Sequence, residues 1–167
     1  QYTNTDFMHT SNAYAYTTFN NFFIDDKQID GTFNVKNNGV GGSSNYTYTV
    51  TGKFDEILPN NGGVISSIGQ EVIEWVAGAN TEDKTDNVYE HTLSINRVNA
   101  DGEELTISTP KPLVENRAPG CERHYTSGII LIQSNMQTDQ TCDFGDGTCD
   151  NLAVETQDGV SHTVTLD

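Results

Sequence analysis

The sequence predicts an all-β protein: an antiparallel β-sandwich or an open, rolled sheet of about ten strands, with no significant helix. Three observations predict it. Only 34% of the chain is hydrophobic, and Thr, Asn, Ser, Gly and Tyr fill the difference, a mix that suits half-exposed strands with Asn and Gly in the turns. Aromatic and β-branched residues recur with the two-residue period of a strand. Gly, Asp, Asn and Pro punctuate these runs at short intervals, and no stretch carries a convincing helical period. At 167 residues the chain suits one domain with a sizeable core. It divides into an unpatterned N-terminal arm, residues 1–12, and a single β domain, residues 13–167.

The elements follow in order. Residues 13–24, rich in Tyr, Thr and Phe, read as a long strand, and Asp25-Asp26-Lys27 as a polar turn. Residues 28–36 form a second strand with Ile29, Phe33 and Val35 on one face. Residues 37–44, dominated by Asn, Gly and Ser, read as a flexible loop. The clearest alternation follows: Tyr46, Tyr48 and Val50 point one way, Thr47, Thr49 and Thr51 the other. Pro59-Asn60-Asn61-Gly62-Gly63 turns the chain into a strand, or pair of strands, over 64–76.

Two later hairpins can be registered by testing which turn keeps apolar residues together. With Ala100-Asp101-Gly102 as a three-residue loop, Asn99 pairs with Glu103 and Ile95 faces Ile107, with Leu93 facing Thr109. A two-residue loop sets Ile95 against Thr106. The same test at the C-terminus prefers Gln157-Asp158-Gly159 as the loop, with Val154 facing His162 and Leu152 facing Val164. Between the hairpins lie a Pro-containing crossing segment (110–120), an apolar strand (125–133) and a loop (134–140).

The formal net charge is −16, with eight Lys and Arg against twenty-four acids. So few cations cannot form a phosphate-binding stripe, which makes nucleic acid and an anionic membrane surface poor candidate partners; no nucleic acid is expected. No apolar run has the length of a membrane span, so no membrane insertion is expected. The start, Gln1-Tyr2-Thr3-Asn4, reads as a cut end and the chain as a mature or trimmed one. The three cysteines, Cys121, Cys142 and Cys149, form no Cys-x-x-Cys pair. One disulfide plus one leftover thiol is the simplest arrangement in an extracellular setting; a partner cysteine on another chain or on a removed segment is the alternative.

The most distinctive stretch is Cys142-Asp143-Phe144-Gly145-Asp146-Gly147-Thr148-Cys149-Asp150-Asn151, followed by strand, turn and strand. With Phe19-Asn20-Asn21-Phe22, Ile29-Asp30-Gly31-Thr32, Glu74-Trp75-Val76-Ala77-Gly78, Asp86-Asn87-Val88-Tyr89, Pro112-Leu113 and Cys121 in the same order, it resembles uncharacterised cell-surface lipoproteins of the Bacteroidetes from about residue 17 onward. The resemblance implies an exported, all-β protein at the outer cell surface without an assigned activity. It carries Cys121 and Cys149 onto matching positions and so implies that they pair. Cys142 departs from the pattern, and a short Cys142–Cys149 loop is also feasible. Such proteins carry a further strand pair ahead of the region where this chain begins. Its absence would leave an open edge, a template for pairing with another chain. Donor-strand assembly uses such an edge.

Catalytic chemistry is not apparent. There is no Gly-x-Ser-x-Gly nucleophile motif, and Gly39 to Gly42 lies between strands, the wrong context for cradling phosphate. Paired acids for a hydrolase cannot be singled out among so many. His9, His91, His124 and His162 lack metal-ligand spacing, and His162 reads as a partly buried core histidine. Asp143, Asp146 and Asp150 have the spacing to wrap calcium, although Asp and Gly are equally the residues of a structural turn. Glu82, Asp83 and Asp86 read as a solvated loop. Tyr46, Tyr48 and Trp75 are the candidate aromatics for stacking on sugar rings, the commoner alternative being that they fill the core. Asn45-Tyr46-Thr47 is a lone glycosylation sequon. The expectation is a non-enzymatic surface protein with a structural or adhesive role, its sharpest form a filament subunit that self-associates by strand exchange. The alternative is a carbohydrate-binding module, and a hydrolase comes third.

Overall fold

The computed structural model describes residues 7–41, 45–121 and 124–166. Ten strands follow in chain order: β1 (Tyr14–Ile24), β2 (Lys27–Val40), β3 (Tyr46–Ile57), β4 (Val64–Ala77), β5 (Val88–Val98), β6 (Glu104–Asn116), β7 (Tyr125–Ser134), β8 (Gln140–Asp146), β9 (Leu152–Gln157) and β10 (Val160–Thr165). A 3-10 turn at Lys84–Asp86 is the only helical element among the described residues, and Asp83 caps it. Each strand pairs antiparallel with its chain neighbours, giving one open meander sheet, so the rolled-sheet alternative is the one that forms.

Cross-strand partners share a face of the sheet, so the register sorts the side chains. One face carries Tyr46, Trp75 and Tyr89 in one row, and Tyr48, Ile73, His91 and Leu113 in the next. Further rows add Val35 with Val50, then Phe33, Ile95, Ile107 and Ile132. The alternations expected for Ile29, Phe33 and Val35, and for Tyr46, Tyr48 and Val50, are those observed. The opposite face is polar, with Tyr16, Asn34, Thr51, Gln70, Ser94 and Ser108 in one cross-strand row.

The apolar face curls inward over its C-terminal half. Leu113, Phe144 and Ala153 form the buried centre there, with Leu93, Tyr125, Ile130, Cys142 and Val164 packed around them. Residues of β5 and β6 thereby share one core cluster with residues of β8, β9 and β10. Curling lets a single antiparallel layer bury part of one face without a second sheet or helices.

The structure corrects four expectations. Asp158 and Gly159 both adopt positive φ (55° and 73°) in a two-residue turn that pairs Gln157 with Val160. That combination is the type I′ hairpin, whose twist matches its strands. The register is therefore one residue from the expected one: Ala153 faces Val164 inside, while Leu152 and Val154 lie outside opposite Thr165 and Thr163. His162 is correspondingly exposed, opposite Glu155, and is not a core histidine. The segment from Pro110 is not a crossing, since β6 runs through Pro110 and Pro112 to Asn116. The missing N–H groups fall where its ladder with β7 breaks register, between Ser108 and Val114. Finally, β2 continues past Lys36 to Val40 across a bulge between Asn37 and Gly39, so only the tail of the expected 37–44 loop, at 42–44, lies outside the described residues. The β5–β6 register agrees: the Asn99 N–H donates to the Glu103 carbonyl at 2.8 Å and Ile95 pairs with Ile107. Leu93 instead enters a bulge, where its N–H donates to the Thr109 hydroxyl.

Candidate functional site

Three features of the sheet stand out: an open edge, a seat for the N-terminal arm and a charged clamp. Among the described residues, β1 and β10 each have a neighbour on one side only. Edge strands of soluble proteins are normally short, charged or bulged. β1 is eleven residues long, carries no charged side chain, and exposes Tyr14, Tyr16, Phe22, Phe23 and Ile24. Its one irregularity is a bulge at Asn20 and Asn21, where Asn21 adopts φ 51° and its N–H donates to Asp30. Beside this edge the apolar face is uncovered. Phe19, Phe22, Ile24, Ile29, Phe54 and Ile65 line a hollow of about 350 Å³. A second hollow, about 190 Å³, lies over Phe33, Val50, Leu93 and Ile95, where the facing glycines Gly52 and Gly69 lower the surface.

Residues 7–12 lie over the other end of that face. Asn37, fully buried, donates from Nδ2 to the carbonyls of Phe7 (2.9 Å) and Met8 (3.0 Å), and the Tyr48 hydroxyl donates to Met8 at 2.6 Å. The His9 ring stands edge-on to Tyr46 and tilted on Trp75, with Nε2 3.2 Å from the Ala79 carbonyl. Tyr48 and Trp75 are consequently 3% and 7% exposed, and Trp75 packs on Tyr46 and Tyr89. Of the three aromatics considered for stacking on a ligand, these two are core residues, and Tyr46 is half-buried among them. Trp75 Nε1 is buried without a hydrogen-bond partner.

At the centre of the apolar face, His91 places Nδ1 2.6 Å from Glu71 and Nε2 3.0 Å from Glu115. Arg117 pairs with the other oxygen of Glu115 at 2.5 Å, and Tyr125 stands edge-on to the imidazole. Burial by itself pushes the His91 pKa down; the hydrogen bond and charge of Glu71, joined by Glu115, outweigh it and hold the pKa above 6.5. Two carboxylate partners favour the protonated ring with two N–H donors, a clamp that joins β4, β5 and β6. With both nitrogens engaged it is in no position to act as a base or metal ligand. Burial, with the nearby carboxylates, also pushes the Tyr125 hydroxyl up.

The polar face holds a shallow depression of about 550 Å³ lined by Thr32, Asn34, Thr51, Gln70, Ser94 and Asn96, with Lys53 as its only charged group. Asn34 is oriented there by the Tyr14 hydroxyl and by Thr51.

The remaining sequence candidates separate cleanly. Cys121 and Cys149 form a disulfide, with Cα atoms 4.8 Å apart, that staples the loop after β6 to the loop after β8. Cys142 is a free, half-buried thiol whose pKa is raised by burial, then by Glu155 and Asp143. Asp143, Asp146 and Asp150 share the wall of one hollow. Each turns an oxygen onto a backbone N–H two residues on: Gly145, Thr148 and Leu152. These are Asx turns, and the Thr148 hydroxyl and N–H hold Asp146 below the usual carboxylate range. No group of three or more His, Cys, Asp or Glu side chains placed to hold a metal ion occurs among the described residues. Asp83 and Asp86 are used in the same local way, bonding Thr85 and Thr81. The sequon residue Asn45 donates to Glu74.

Comparison of the chain with family models, curated proteins and solved structures finds no match.

Proposed function

We propose that this is an exported, non-enzymatic structural or adhesive protein of the outer cell surface, assembling with further copies through β-strand pairing at the open edges of its sheet. The observation that carries the reading is β1: a long edge strand with apolar side chains exposed on both faces, next to an uncovered stretch of the apolar face. Pairing a strand there satisfies a row of backbone groups and extends the hydrophobic surface in one step. The Cys121–Cys149 disulfide fits an oxidising location. The net charge of −16 keeps single copies apart, and salt screens that repulsion. Negative-stain electron microscopy with non-reducing gel electrophoresis tests the proposal. Regular fibres or a ladder of discrete masses support it; a compact 18.3 kDa monomer at every concentration and salt level removes it.

A second reading, carbohydrate binding, is favoured by the hydroxyl- and amide-lined depression on the polar face. It requires Asn34, Gln70 and Asn96 in place of the buried Tyr48 and Trp75. A glycan array on the monomeric fraction tests it: a specific glycan hit lost on Gln70→Ala and Asn96→Ala supports it, and no hit discards it.

A further inference from the structure

We infer that the seat of the N-terminal arm is exchangeable, so that the groups holding residues 7–12 of their own chain take the same segment of a second copy. The inference deepens the proposed assembly and rests on it.

The seat reads main chain. The Asn37 amide N–H and the Tyr48 hydroxyl donate to the carbonyls of Phe7 and Met8, and His9 reaches the Ala79 carbonyl. Side-chain identity enters through the His9 ring against Tyr46 and Trp75. Every copy carries the same arm, so nothing in this recognition distinguishes a chain's own arm from a neighbour's.

The arm is lightly attached. Met8, His9, Ser11 and Asn12 are exposed, and residues 7–11 belong to no strand. The arm also leaves the buried Trp75 indole N–H unpaired, a donor that a differently seated segment can satisfy.

A single residue sets its direction. The Asn12 N–H donates to the Asn37 carbonyl, and Asn12 adopts φ 64° two residues before the edge strand begins. That left-handed turn folds the arm back over its own sheet. With Asn12 extended, the arm continues the line of β1, away from its own seat, at the edge where a second copy is proposed to pair. Hinges of this kind are where elements swap between protomers. The intramolecular seat has the advantage of effective concentration, so exchange should grow with protein concentration.

The test is cysteine cross-linking in the full chain with a short bis-maleimide, with Cys142→Ser throughout. One preparation carries His9→Cys, another Ala79→Cys, and a third carries both. The double variant should be bridged within one chain by a short bis-maleimide when dilute, since the His9 ring reaches the Ala79 carbonyl. If it is bridged at no concentration, the seat itself is wrong and the inference falls. Mixing the single variants at assembling concentration should give a covalent heterodimer in excess of either homodimer. Asn12→Val, which disfavours left-handed backbone, should raise that yield about tenfold. Asn12→Gly, which tolerates it, should not. High-mass assemblies without an interchain bond, or equal yields from the two Asn12 variants, overturn exchange and leave strand-edge assembly standing. A monomer under all conditions removes the assembly reading and exchange with it.

Discussion

His91→Gln should expose how much the charged clamp contributes and at which pH. The folded chain holds the imidazolium, its side chain 9% exposed, against Glu71 and Glu115. Its pKa in the fold is above the 6.5 of the free group. The folded state therefore binds the proton more tightly than the unfolded state. By linkage the stabilisation is fully present below about pH 6.5 and is lost as pH rises through the raised value. Breaking a buried ion pair by removing one partner costs about 3–5 kcal/mol. Here Glu71 and Glu115 are 24% and 20% exposed and Arg117 still pairs with Glu115, which reduces the penalty. About 2–3 kcal/mol is therefore expected near pH 6. Urea unfolding at a series of pH values between about 5.5 and 9 measures it, with an unchanged denaturant slope as the check on a common unfolded state. The gap between the parent and His91→Gln should narrow as the pH rises above neutrality. A constant gap across the series, or one that widens with pH, would refute the reasoning.

Reducing the Cys121–Cys149 disulfide, which spans 28 residues, should lower stability by about 3–4 kcal/mol on the chain-entropy model, read by urea unfolding with and without reductant. Gly128→Ala should cost about 2–3 kcal/mol in the same assay, because a Cβ there would overlap the Pro112 carbonyl and the Leu113 Cα, and φ is 115°. Raising salt from about 10 mM to about 500 mM should increase the assembled fraction measured by light scattering, since it screens repulsion between chains of net charge −16.

Much of the sheet was legible because local pattern and tertiary burial agree. Tyr46, Tyr48 and Val50 alternate with threonines, and the structure buries or half-buries that face. Ile95 finds Ile107 because an isoleucine row fixes the register. The β9–β10 hairpin misled for a physical reason. Leu152 and Val154 are the larger apolar residues, but the curled sheet leaves room beside Leu113 and Phe144 for the small Ala153. A size-based reading selects the wrong parity there. Pro110 and Pro112 resembled a strand break because a proline's cost depends on whether its neighbour strand is bulged, which is a property of the pair. The Glu71–His91–Glu115 clamp had no sequence signal, since its members lie 20 and 24 residues apart on three strands. Only the register of β4, β5 and β6 brings them together, and the bulge after His91 is invisible in the pattern. The cover over Tyr48 and Trp75 was unreadable in the same way, because the unpatterned arm packs through its backbone carbonyls.

The most direct test of edge assembly is sedimentation velocity of the parent chain beside a Tyr16→Lys, Phe22→Lys double variant over a range of concentrations. Both side chains are exposed on β1, on opposite faces of the sheet. The substitutions make the net charge less negative, so general repulsion falls and any loss of assembly reflects the edge itself. The account predicts species larger than 18.3 kDa for the parent and a monomer for the variant. Equal assembly by both chains, or a monomeric parent at every concentration, would contradict it.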